Sequence, residues 1–341
     1  MNTVTTHQRP GVYSAYDASS VIQGSANGRT VGIAAVSAGG DPGTLYTLTG
    51  REQAATAFGA EDGLTELTEL LLRNGAGKVC AVPVAEAAGY AAAFELLAQT
   101  DGIAAVTCDS ADVTVQQALR DSVKSAAENR RERIAVVCGG EGETVAQLVA
   151  RAGELNSERV VLTAPGGARA AAAVAGSLAG ESDPAIPLGG AELSGVTSLP
   201  VQYGEDDIDA LVLGGVTPLE VVGGVVAVIR GVTTRTKTGE SADSTWREIT
   251  TVRVVDNVIS AVRSALRSKF NRSKNTEQSR EAIRSQTIVE LERKVRDEIV
   301  TGYDAVGVSA LESDPTVCLV EFSFTVAHGL NQIWLTAHIT V

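Results

Sequence analysis

Five apolar runs of strand length, each followed by a stretch with helical periodicity, dominate the first half of the sequence. They are TVGIAAVS (30–37), KVCAVPV (78–84), IAAVTC (103–108), RIAVVC (133–138) and RVVLTA (159–164). Continuous apolar strands spaced by amphipathic helices are the pattern of a parallel sheet with helices on both faces. Helices are predicted near 49–58, where Thr49 reads as an N-cap, over GLTELTELLLRNGAG up to Gly75, and near 113–129 and 143–155. Aromatic residues make up only 4% of the chain, so Ala, Val and Gly must fill the core, which suits closely spaced layers. The Ala-rich stretch 168–179 is predicted to be a helix packed through small residues. The apolar run 210–229 contains Pro218, Glu220 and four glycines, so it reads as two buried strands or a helix-to-strand passage and not as a membrane span.

The style changes at TTRTKTGESADSTW (233–246), predicted to be a mobile loop between strands AVIRGVTT and REITTVRVV. Two helices follow. In the first, Val255, Ile259, Val262 and Leu266 form one apolar stripe, with Arg263 and Arg267 projecting away from it. The second is predicted to start at Asn275, capped with the help of Gln278, and to carry Ile288, Leu291, Val295 and Ile299 inward. Its outer face offers Glu290–Lys294 and Glu292–Arg296 as i,i+4 pairs. Strands are predicted in GVSALE, VCLVEFSFTVA and IWLTAHITV. The fold class is therefore α/β, a parallel or mixed sheet with flanking helices, plus an α+β C-terminal domain with strand-forming N- and C-terminal arms. The predicted division is an arm over 1–24, an α/β domain over 25–230, and an α+β domain over 231–341 whose arm is 332–341.

The net charge of −13 disfavours nucleic acid and anionic membranes as partners. The segment 230–300 runs the other way, with 15 Lys and Arg against 10 Asp and Glu. It reads either as a surface facing an acidic partner or as a solvated helical face. Cys80, Cys108, Cys138 and Cys318 lie in predicted strands without CxxC spacing, as small buried hydrophobes in a reducing compartment. The start MNTVTTHQRP lacks the charged and apolar regions of a signal peptide.

Candidate chemistry is thin. VVCGGEGET (136–144) is a strand running through glycines toward a helix, as in phosphate cradles, but it matches neither G-x-G-x-x-G nor a P-loop. A nucleotide-binding enzyme using the 139–144 turn stays open as an alternative. Glu205, Asp206 and Asp207 read as an acidic first helical turn in preference to a metal site. Cys108-Asp109 ends a strand where α/β enzymes place catalytic groups, yet nothing basic accompanies it. His7, His328 and His338 lie near the two ends, away from the α/β body. No catalytic, cofactor-binding or metal residue is assigned and no cofactor is expected, so the α/β body reads as architecture.

Both ends look like strands that need a partner. Val12, Tyr13 and Tyr16 mark the first, and Ile333, Trp334, Leu335, His338 and Ile339 the last. Such strands pair either within the subunit or across copies, and the second case, head to tail, makes a helical filament. RPGVYSAYDASS, GRTVGIAAVSAGGDPGTLYTLTGREQAATAFG, RRERIAVVCGGEGETVAQLVA, REITTVRVVDNVISAVRSAL and VEFSFTVAHGLNQIWLTAHITV, in that order, resemble the sheath proteins of contractile phage tails and related contractile injection systems. The resemblance implies a structural subunit that polymerises helically around an inner tube and contracts, without cofactor or hydrolysis, in a virion tail or contractile particle assembled in the bacterial cytoplasm. It implies arms at 12–20 and 332–341, a receiving strand near 317–326, and partners in further copies, the tube protein, and baseplate and tail terminator proteins. It makes Arg263, Arg267, Lys269, Arg272, Lys274, Arg293, Lys294 and Arg296 candidates to face the tube. A static filament or shell subunit sharing the arms is the other alternative.

Overall fold

TVGIAAV (Thr30–Val36, β1) and KVCAVPV (Lys78–Val84, β3) are buried along nearly their whole length, as strands covered on both faces must be. The computed structural model, which describes residues 30–331, places both in one eight-stranded sheet. The others are β2 (Tyr46–Leu48), β4 (Ile103–Cys108), β5 (Ile134–Cys138), β6 (Val160–Ala164), β7 (Val216–Val222) and β8 (Val225–Val228). The spatial order is β2-β3-β1-β4-β5-β6-β7-β8. Strands β3 through β7 in that order run parallel, and β2 and β8 close the two edges antiparallel.

Side chains alternate across the sheet. Val31, Ile33 and Ala35 of β1 point into one core and Ala34 into the other. The first core is covered by α1 (Arg51–Phe58), α2 (Gly63–Arg73) and α6 (Gly167–Gly180). The second lies under α3 (Tyr90–Gln99), α4 (Val113–Glu128), α5 (Val145–Leu155) and α7 (Glu205–Leu213). Helix α6 is buried on all sides, with Ala171 through Ala175 fully inaccessible. It approaches α2 so closely that a Cβ at Gly176 would sit 2.5 Å from the Leu71 carbonyl oxygen.

The C-terminal region is built on α8 (Ile249–Phe270) and α9 (Glu277–Arg296), which pack on each other. Two antiparallel ribbons follow: β11 (Val300–Tyr303) with β14 (Phe324–Val326), and β12 (Gly307–Leu311) with β13 (Asp314–Glu321). Val254, Val258, Leu291, Ile299, Val300 and Val306 form a third core. Helix α8 belongs to two cores at once, because Ile249, Val252 and Val255 enter the first while Val254 and Val258 enter the third.

Charged groups reinforce that junction. Arg159, just before β6, makes a bidentate pair with Asp256 of α8, both bonds 2.8 Å. Arg263, two turns further along α8, donates to Glu132, just before β5, at 3.1 Å. The Glu132 side chain has no exposed surface, and its Oε2 has no hydrogen-bond partner. Burial, with the Asp256 charge adding to it and Arg263 opposing, pushes the Glu132 carboxyl up to about 8.

Several local expectations are corrected. REITTVRVV is not a strand: from Ile249 it is the first turns of α8, because burial at Ile249, Val252 and Val255 follows helical spacing and overrides the β preference of its branched residues. The segment 233–246, expected to be mobile, is pinned at both ends. Thr233 and Thr234 are fully buried, the Thr234 N–H donates to the Val160 carbonyl at 2.9 Å, and Trp246 is buried. Its middle forms a small ribbon of β9 (Lys237–Thr238) and β10 (Ser241–Ala242). Gly50, not Thr49, is the N-cap of α1, while Thr49 bonds to Gln53. Thr276, not Asn275, caps α9, and the Asn275 amide donates to the carbonyls of Pro315 and Val317. Glu290 is buried and pairs with Arg293 at 3.2 Å, and Glu292 accepts from the Tyr303 hydroxyl, so neither expected i,i+4 pair forms. The expected strand VCLVEFSFTVA is broken at 322–323 into β13 and β14, and β2 and β11 are too short to leave a periodic signal in the sequence.

Gly176→Val is expected to destabilise the fold by about 1–3 kcal/mol or more through overpacking, measured by urea denaturation. Glu132, with a native value near 8 against an ordinary 4.5, contributes stability that is complete below the lower value and lost as pH rises through the upper one. The unfolding free energy is therefore expected to fall between about pH 5 and about pH 9, and Glu132→Gln to flatten that fall. Asp256→Ala, which removes the bidentate carboxylate from the buried Arg159, is expected to cost about 3–5 kcal/mol in the same denaturation measurement.

Candidate functional site

In open α/β sheets, ligands bind beyond the C-terminal ends of the strands where the strand order reverses. Here that place lies between β1 and β4, and the chain fills it itself. Asp109, directly after β4, accepts the Val36 N–H at 3.0 Å and the Tyr90 hydroxyl. Burial and the Asp109 hydrogen bond push the Tyr90 phenol well above its usual range. The neighbouring loop is tied down by Asp62, which accepts from Ala38 N–H at 3.1 Å while capping α2 through Leu64 N–H at 2.9 Å. Burial raises the Cys108 thiol far above ordinary values, so it is no nucleophile at neutral pH. Cys80 and Cys138 are likewise buried, with Cys138 pushed up to about 11, and Cys318 is half-buried in β13.

The glycine turn after β5 is closed in the same way. The Gly140 N–H, placed as a phosphate-binding donor would be, donates at 2.8 Å to Glu143 of the same turn. Glu143 is also gripped by Arg151, whose Nε lies 3.0 Å from Oε2, and this bond holds its carboxyl below the usual carboxylate range. Arg151 in turn donates to the Ala111 carbonyl at 2.7 Å and to Gln116 at 3.2 Å. Thr144 and Gln147 form a capping box at the start of α5. An internal carboxylate thus occupies the position an anionic ligand would take. Glu205, Asp206 and Asp207 form the first turn of α7, and among the described residues no three potential ligands converge on a metal position.

The surface richest in unpaired positive charge is the end of α8 and the turn after it. Arg267, Lys269, Arg272 and Lys274 are exposed there, and Arg293 and Arg296 are exposed on α9. Lys269 donates to Gln286, Arg293 pairs with Glu290, and Arg296 lies 3.6 Å from Asp297. Arg267, Arg272 and Lys274 form no ion pair among the described residues. Four of the eight expected cations are not on this surface: Arg293 and Arg296 lie at the other end of α9, whose Lys294 reaches the first half of α8, and two more are turned inward. Arg263 is only 11% exposed and turned toward Glu132, because α8 rolls that face onto the α/β body. Lys294 is half-buried, reaches Asn257 Oδ1 at 2.5 Å, and is lowered by burial. The Arg263–Glu132 pair joins positions 131 apart in sequence. Its one local signal is a glutamate set among arginines at Arg130-Arg131-Glu132-Arg133, immediately before a buried strand.

A second open surface is the pair of ribbons. Each has two strands, and Val317 to Val320 of β13 are half-exposed on both faces. Their inner faces rest on α8 and α9, and a ribbon of two strands still has edges at which a further strand can pair. Phe322 and Phe324 stack at 6.2 Å where β13 gives way to β14. The arm residues Val12, Tyr13, Tyr16, Ile333, Trp334, Leu335, His338 and Ile339 lie outside the described residues.

Known proteins share this geometry. Residues 82–234 match the family described as the phage tail sheath protein central domain, and residues 241–340 match the phage tail sheath C-terminal domain. The tail sheath protein of Bacillus phage SP01 is 32% identical over 231 residues, which is 62% of this chain and 39% of that protein. The chain thus spans well under half the length of that curated relative. Among solved structures, the anti-feeding prophage helical sheath in the contracted state aligns with a TM-score of 0.72 at 16% identity, covering 98% of this chain and 99% of that one. A chain of the anti-feeding prophage baseplate aligns with a TM-score of 0.75 at 16% identity, covering 98% and 100%. The sheath tail protein of Desulfitobacterium hafniense aligns with a TM-score of 0.67 at 13% identity, covering 93% and 100%. At these identities the structures establish a shared fold.

Proposed function

Because the chain belongs to the phage tail sheath family, we propose that it is a structural subunit of a contractile sheath. It polymerises helically around an inner tube and shortens to drive that tube through a target envelope. The observation that carries this reading is the pairing of a self-filled α/β body with a C-terminal region whose ribbons have two strands each and no third strand among the described residues. The residues 1–24 and 332–341 are the natural complement. As extended segments they supply strands to the ribbons of neighbouring copies through main-chain hydrogen bonds, which hold subunits together while they move. The exposed edge of β13 is the receiving site this reading favours.

The cations at the end of α8 face the tube in this arrangement. Arg267, Arg272 and Lys274 are solvated, and exposed ion pairs are worth about 0–1 kcal/mol each, so many weak contacts attach a surface that must later let go. Baseplate and terminator proteins contact the two ends of the polymer. The work of shortening comes from new interfaces that form between subunits, so neither cofactor nor hydrolysis enters, and the protein acts as architecture and not as an enzyme. Assembly takes place in the bacterial cytoplasm and function in a virion tail or contractile particle.

Electron microscopy of the purified chain at rising concentration, beside a chain lacking 332–341, tests the central claim. Long hollow tubes from the first and none from the second are expected, and small particles of one size from both would overturn it. A triple charge reversal, Arg267→Glu with Arg272→Glu and Lys274→Glu, is expected to leave self-assembly intact and to abolish coating of tail tubes. Normal coating by that variant would withdraw the tube-facing assignment.

A further inference from the structure

The C-terminal segment leaves the described fold through a narrow passage. The Ala327 N–H donates to the Ile299 carbonyl at 3.3 Å, the last backbone bond among the described residues before the chain departs. Two residues later Gly329 lies against the ring of Pro187. A Cβ at 329 would stand 2.8 Å from Pro187 Cβ and 2.9 Å from its Cγ. Gly329 is not among the positive-φ glycines, so the position requires space and not an unusual backbone. Leu330 then emerges 74% exposed.

The wall it meets is held in place. Pro187 is rigid by virtue of its ring. On one side of it, Arg253 of α8 donates to the Glu181 carbonyl at 2.9 Å and to the Ile186 carbonyl at 3.4 Å. Asp183 stiffens the same loop by accepting from the Ala185 N–H at 2.8 Å. On the other side the chain is stitched to β8, with the Gly190 N–H donating to the Val228 carbonyl at 2.7 Å and the Val228 N–H returning to Ala191 at 3.0 Å. The loop is therefore anchored from both sides, to α8 and to the edge strand β8, before the departing segment meets it.

We infer that the 181–191 loop is a fixed guide, and that the Gly329–Pro187 contact sets the direction in which the C-terminal segment leaves the subunit toward its neighbour. Gly329 is a positioning residue: a Cβ there would meet the Pro187 ring inside 3 Å, and the departing segment, held by one bond at 3.3 Å, gives way before the anchored wall does. This rests on the reading that 332–341 link subunits.

The test uses the full-length chain. Gly329→Ala is expected to unfold at the temperature of the parent and to raise the concentration at which tubes appear by about tenfold, the scale of an overpacked contact. Pro187→Gly, which removes the wall, is expected to restore assembly when combined with Gly329→Ala. A Gly329→Ala chain that assembles at the parent's threshold, or a double variant that stays as impaired as the single one, would overturn the inference. The chain lacking 332–341, run alongside, separates the two levels: if it too forms tubes, the linking role itself falls, whereas its failure beside a normal Gly329→Ala chain sinks the guide alone.

Discussion

The shared helix α8 is the constraint from which the rest of the architecture follows. Its 22 residues span about 33 Å, and it presents Ile249, Val252 and Val255 to the α/β core and Val254 and Val258 to the C-terminal core. A helix buried in two cores cannot serve as a hinge between them without exposing one set of side chains. The bidentate Arg159–Asp256 pair adds a second penalty, because separating it would leave buried charge uncompensated, and the Arg263–Glu132 hydrogen bond would be lost with it. The ordered strap 233–246, with Thr233, Thr234 and Trp246 buried, removes the remaining slack between the two parts. The subunit is thus built to move as one piece, and shape change in an assembly falls to whatever connects one piece to the next.

The same economy governs the places where this fold class usually keeps its chemistry. Asp109 bridges Val36 and Tyr90 at the reversal of strand order, and Glu143 satisfies Gly140 and Arg151 in the glycine turn. These are the donors and acceptors a ligand would use, matched to partners within the chain. Buried polar groups must be satisfied by something, and here satisfaction by neighbours makes the sheet a stiff plate. Edge protection follows the same logic: β2 is three residues long, and the outer edge of β8 is partly covered by bonds to 190–193, whereas the start of β13 is covered by a single side chain, Asn275.

What the residues reveal in advance divides along physical lines. The parallel strands are legible because continuous apolar runs bounded by turns leave few other readings, and α6 because ten of its 14 residues are Gly or Ala. The apolar stripe Val255, Ile259, Val262 and Leu266 marks one buried face of α8, with Ile259 half-buried, and leaves out Val254 and Val258 on the other. The beginning of that helix is not legible, because ITTVRVV has the composition of a strand and its helical spacing only matters once two cores are present to bury it. Arg263 reads as exposed for a related reason. An arginine opposite one apolar stripe looks solvated, and nothing local reveals that a second buried surface with a carboxylate stands 131 positions earlier. Glu290 misleads in the same way, its burial decided by packing between α8 and α9 that no spacing rule encodes.

The burial of Trp246 has an optical consequence. The chain has two tryptophans, Trp246 and Trp334, and the second belongs to the C-terminal segment. Trp246 packs in the α/β core at the point where the strap enters α8. Its indole emission therefore monitors hydration of the seam between the two halves, while that of Trp334 reports on residues 332–341. A chain without 332–341 retains a single fluorophore placed at that seam, which makes internal loosening of a subunit separable by colour from its coupling to other subunits.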